Sequence, residues 1–101
     1  MAKVLVVHDS ATIRADLARE LAGEGFGVAE ADSVGSAVRE IWQGSFDAAL
    51  VGDHVPGMTD ANLEDHLRNL APEIVTIAIG REPAARLVRR LVDILDGAAA
   101  A

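Results

Sequence analysis

Apolar residues along this chain follow two alternating rhythms, short continuous runs and longer stretches with helical spacing. Val4–Val7 and Ala48–Val51 are runs of the first kind, each the length of one buried strand. Ile74–Ile79 (IVTIAI) is a third, nearly continuous and β-branched, the pattern of a strand covered on both faces. Phe26–Ala31 is weaker, because Gly27 and Glu30 interrupt it, and it predicts an edge strand. Between these runs the spacing turns helical. Ile13, Leu17 and Leu21 recur at i, i+4, i+8 behind a cap at Asp9 or Ser10, with Gly23–Gly25 as the stop. Val34, Ala37, Val38, Ile41 and Trp42 recur at i, i+3, i+4, i+7, i+8 behind a cap at Asp32 or Ser33, and Gly44 ends that helix. Leu63, Leu67 and Leu70 form the inner stripe of a helix that starts at Thr59 or Asp60 and closes before Pro72. Pro83 suits the first turn of a last helix running to about Asp96.

Apolar strands alternating with amphipathic helices predict an α/β fold, a parallel sheet of about four strands with helices on both faces. Two of the strands end in polar clusters, His8-Asp9-Ser10 and Gly52-Asp53-His54, the second followed by the turn signal Pro56-Gly57. Ligands in open α/β sheets bind outside the carboxyl ends of the strands, so these clusters are the candidate site.

Composition narrows the function classes. At 101 residues the chain predicts one domain, 1–97, with 98–101 as a frayed tail. Half of the residues are hydrophobic but only 3% are aromatic, so the core is built from Val, Leu, Ile and Ala. A formal net charge of −7 argues against nucleic acid or an anionic membrane as a partner. The absence of cysteine excludes disulfides and fits a cytoplasmic protein. The first residues carry one lysine and a five-residue apolar run, too short for a signal peptide or a membrane span.

VLVVHDSATIR at Val4–Arg14 and FDAALVGDHVPGM at Phe46–Met58 resemble the first and third strands of a response-regulator receiver domain. The match covers residue 3 to about residue 80. It implies a receiver/flavodoxin-like sheet of order 2-1-3-4, which sets the first and third strands side by side. His8, Asp9, Gly52, Asp53 and His54 would then share one rim. In that family an acidic pair follows the first strand and a phosphate-accepting aspartate ends the third. That aspartate lies five residues after an aspartate like Asp47 and four before a proline like Pro56, and both counts land on Gly52.

Aspartate phosphorylation needs a carboxylate aimed at the phosphoryl group, a divalent cation on its oxygens, and a hydroxyl and an ammonium to hold the product. By the resemblance only Asp9 is kept. Its partner is His8, a poor magnesium ligand. The acceptor position is Gly52, the Ser/Thr position falls on Ile79 or Ala78, and Lys3 is the only lysine. The resemblance therefore implies a degenerate pseudo-receiver, shortened at its carboxyl end. It would be no enzyme, require no cofactor, and act as a stand-alone adaptor for an unidentified signalling protein. Two alternatives stay open. Asp53 could accept phosphate from a histidine kinase, although a one-residue shift along a strand reverses the side chain's direction. His8, Asp9, Asp53 and His54 could form a small zinc site, imidazole and carboxylate both suiting that ion. The plain readings are an N-cap role for Asp9, solvated rim positions for His8 and His54, and close backbone approach or a positive φ at Gly52.

The carboxyl-terminal part adds one expectation. A receiver continues after its fourth strand with a helix, a fifth strand and a final helix, whereas one helix follows here. RLVRRLVDILDG at Arg86–Gly97 looks more like the final helix. Without a fifth strand, Ile74–Ile79 would be an open edge with no charge or proline to discourage pairing. Leu87, Val88, Leu91, Val92, Ile94 and Leu95 span roughly 160° of the last helix, wider than one sheet face needs. Ile74, Ile77, Ile79, Leu87, Leu91 and Leu95 are thus interface candidates for a homodimer, with Arg86 and Arg90 beside them. Deep packing of the helix in its own subunit is the plain alternative.

Overall fold

The computed structural model describes residues 2–52 and 74–100. Four strands and three helices lie in these residues: β1 (Lys3–Val7), α1 (Ala11–Gly23), β2 (Gly27–Ala31), α2 (Val34–Gln43), β3 (Ala48–Val51), β4 (Val75–Ala78) and α3 (Ala84–Ala100). The strands form one parallel sheet in the order β2-β1-β3-β4. This is the predicted α/β architecture and the predicted order. The helix expected between Thr59 and Pro72 lies outside the described residues.

Alternation along the strands divides the core in two. Val4 and Val6 of β1, Ala48 and Leu50 of β3, and Ile77 face α1 and α3, where Leu17, Leu21, Leu87, Val88 and Leu91 meet them. Leu5, Val7 and Ala49 face the other way, toward Ala37 and Ile41 of α2. Every residue of Val4–Val7 is fully buried, which explains why that run shows no polar alternation.

The helix ends follow local chemistry. Ser10 caps α1, its hydroxyl accepting from the Ile13 N–H at 3.3 Å. Ser33 caps α2 in the same way, accepting from Ser36 N–H at 3.2 Å. The carboxyl end of α1 turns at Gly25, where φ is +88°, and Phe26 N–H donates to Leu21 O at 3.1 Å. Only glycine adopts that conformation without steric cost.

Four side chains depart from their periodic assignment. Ile13 is 37% exposed, because it sits in the first turn of α1, above the strand ends. Trp42 is 74% exposed. At 100° per residue it lies roughly 120° from the midpoint of Ala37 and Ile41, beyond what the sheet can cover. Ile94 is 40% exposed on the flank of α3. On the fourth strand Thr76, expected to be covered, is exposed, while Ile77 is buried.

The position of α3 decides which family helix it resembles. A strand added outside β4 would be reached by a right-handed crossover, placing its connecting helix on the α2 face. Instead α3 packs beside α1 on the opposite face. It is therefore no crossover helix, in keeping with the likeness of its sequence to the family's final helix. It also continues past the expected end near Asp96 to Ala100, alanine being the strongest helix former.

Candidate functional site

The carboxyl rim is assembled by strand register. Val7 pairs with Val51, and Val51 with Ala78. One residue further along each strand, His8, Gly52 and Ile79 fall in a single row. The ladder reaches them: Gly52 N–H donates to Val7 O at 2.8 Å, Ile79 N–H to Val51 O at 2.7 Å, and His8 N–H to Ala31 O at 3.1 Å. Register thus favours Ile79 over Ala78 as the residue facing Gly52. Its side chain is buried in the α1/α3 core and offers no hydroxyl.

His8 is the least expected part of the rim. A Cβ built on Gly52 would stand 2.5 Å from His8 Cδ2, 3.1 Å from Cγ and 3.2 Å from Nε2. The imidazole lies where a side chain at 52 would begin. Gly52 is buried and its φ is outside the positive region. Of the two readings of this glycine, close approach is the one realised, and a side chain makes the approach. Neither is His8 a solvated rim residue, since its side chain is 16% exposed.

Three contacts hold the imidazole and its backbone. Ser10 N–H donates to His8 Nδ1 at 2.9 Å, Arg14 Nη1 donates to His8 O, and His8 N–H is bonded to β2. Arg14 Nε also lies 3.5 Å from Glu30 Oε1, tying α1 to β1 and β2 together. Asp9 is exposed, with Oδ1 3.0 Å from His8 Nδ1. The two contacts at Nδ1 require different ring states. A neutral ring with its proton on Nε2 accepts from Ser10, whereas attraction to Asp9 requires a proton on Nδ1.

The remaining parts are dispersed. Lys3 lies at the other end of β1, roughly 13 Å from Val7 at strand rise, with Nζ over the Phe46 ring at 4.9 Å from its centroid. It supplies no ammonium to the rim. Asp53, His54 and Pro56 lie outside the described residues. Among the described residues, no group of three or more His, Asp or Glu side chains could hold a metal ion. Among the described residues, Asp9 is the carboxylate beside His8, exposed to solvent, and the His8 ring stands where a side chain at 52 would begin.

Arg14 and Asp47 are the residues whose parts sequence reasoning missed. Arg14 falls one turn into a helix capped by Ser10, so it faces back to the rim, a signal available in the spacing. Asp47 served only as a landmark for counting.

No family model and no curated protein matches this sequence. Solved structures do match, among them response regulators and receiver domains. The chain is similar to the response regulator TrrA of Thermotoga maritima, solved in complex with Mg(2+)-BeF, at 26% identity and TM-score 0.70 over 77% of this chain and 68% of that one. A receiver domain from Clostridium thermocellum matches at 22% identity and TM-score 0.71, over 77% of this chain and 64% of its own length. A two-component response regulator from Clostridium difficile matches at 14% identity and TM-score 0.82, over 95% of this chain and 97% of that one. This chain therefore spans about two thirds of the first two. It has the fold of response-regulator receiver domains. That fold points to a signalling role, and receiver domains are in general modules without catalysis of their own. Among the described residues no helix is long and apolar enough to cross a membrane.

Proposed function

We propose that this chain is a pseudo-receiver, a receiver-like module that is not phosphorylated at the usual position and acts by binding a signalling protein. The observation that carries the reading is Gly52. It stands at the end of β3 beside β1, where the resemblance expects the acceptor aspartate, and an imidazole lies against it. TrrA, which the fold resembles, was solved with Mg(2+)-BeF. Here, among the described residues, no group of three or more His, Asp or Glu side chains could hold the metal of such a pair. Incubation with acetyl phosphate and Mg²⁺ followed by intact mass is expected to add nothing. A phosphoryl mass lost in Asp53→Ala would establish Asp53 as the acceptor and end the adaptor reading. Stoichiometric zinc in the purified protein, lost in His8→Ala, would establish the metal reading instead.

The same reading includes self-association through β4. Among the described residues no strand pairs with its outer edge, and Val75–Ala78 carries no charge or proline. The helix candidates Leu87 and Leu91, and Ile77 and Ile79 on the strand, are instead committed to the subunit's own core. That leaves the β4 backbone, with Ile74 and Leu95 half-buried and Arg86 exposed. Arg90 is held by Glu82 at 2.9 Å. A two-fold dimer is the expected form. Light scattering behind a sizing column is expected to show it, with Thr76→Pro restoring the monomer. A monomer at high micromolar concentration would refute it.

A further inference from the structure

We infer that the His8 imidazole occupies the place of a side chain at position 52, so that Gly52 cannot gain a side chain while that ring is present. The inference rests on the pseudo-receiver reading for its meaning, but its evidence is steric. A Cβ at position 52 would approach His8 Cδ2 to 2.5 Å, closer than real Cβ atoms come to any neighbour. The obstacle is a ring, not the end of a flexible chain. Ser10 N–H fixes it at Nδ1, and its backbone is held by Arg14 and by the β2 ladder. Gly52 is itself buried, and its N–H is bonded to Val7 O at the carboxyl end of β1. Both sides of the contact are pinned.

The place of a side chain at 52 is taken by the chain's own imidazole. An aspartate placed at 52 would likewise meet the imidazole at its first carbon.

A stability cycle tests the pair. Urea midpoints are measured for the wild-type chain, Gly52→Ala, His8→Gly, and the double variant. Replacing glycine by alanine at an ordinary φ generally stabilises a chain by restricting its unfolded state, so a lower midpoint must come from the folded contact. Gly52→Ala is expected to lower the midpoint in the wild-type background. In the His8→Gly background the loss should shrink at least about twofold, because the methyl enters the vacated space. If Gly52→Ala does not fold alone, the double variant must fold. An equal loss in both backgrounds, no loss in either, or a double variant that also fails to fold would overturn the pairing. Phosphoryl mass on the wild-type chain would instead overturn the pseudo-receiver reading and leave the cycle's result standing.

Discussion

Asp47 and Lys3 are tied to each other twice. The Asp47 N–H donates to Lys3 O at 2.8 Å, and the Lys3 N–H donates to Asp47 Oδ2 at 2.9 Å. The carbonyl of Asp47 then accepts from Val75 N–H at 3.1 Å. One residue thus joins the amino ends of β1, β3 and β4, at the edge opposite the rim. Its carboxylate caps a backbone N–H that would otherwise face water. Asp47→Ala is expected to cost about 0.5–1.5 kcal/mol, toward the low end because the bond is exposed, while Asp47→Asn keeps an acceptor and should lose less. Urea denaturation of the two variants checks the order.

The serine caps can be tested independently of the rim. Ser33→Ala removes the acceptor for Ser36 N–H and should destabilise by about 1 kcal/mol, with Ser33→Asp near neutral. A loss shared equally by alanine and aspartate would show that the hydroxyl has another role.

Trp42 offers a contrast between periodicity and position. Truncating a buried tryptophan or phenylalanine costs about 3–5 kcal/mol. At 74% exposure, Trp42→Ala should stay within about 0.5 kcal/mol of the parent. As the only tryptophan it reports this directly: its emission should already resemble that of a solvated indole in the folded state and be quenched by acrylamide. A blue-shifted, protected emission would place it in an interface.

Leu91 and Ile94 separate the two sides of α3. Leu91 is fully buried against α1 and the sheet, so Leu91→Ala should cost about 2–5 kcal/mol, and Leu91→Arg should unfold the chain rather than merely dissociate a dimer. Ile94→Ala should cost under about 1 kcal/mol. Equal losses in thermal melts would mean that the exposed flank is covered in solution.

Much of the fold was legible in the sequence because its signals are local. The β1 and β3 runs are buried on both faces, so their hydrophobic patterns stand out without knowledge of any neighbour. The same holds for the serine caps and the glycine stop after α1, each fixed by a few adjacent residues. The order 2-1-3-4 came from resemblance, and the sheet has it. Where periodicity misled, the cause was an element's reach: Ile13 and Trp42 keep helical spacing yet fall above or beside the strands.

By itself the sequence determined an α/β chain, because period and length are properties of the chain alone; the resemblance to receivers is what set Gly52 where that family carries its acceptor aspartate. Only the tertiary structure decided what that glycine accommodates. Residues 8 and 52 meet through the β1–β3 register, and whether a ring then fits over a backbone depends on distances of a few tenths of an ångström. The face chosen by α3 was decided in the same way, since a helix has an apolar stripe in isolation but acquires a neighbour only when the sheet is built.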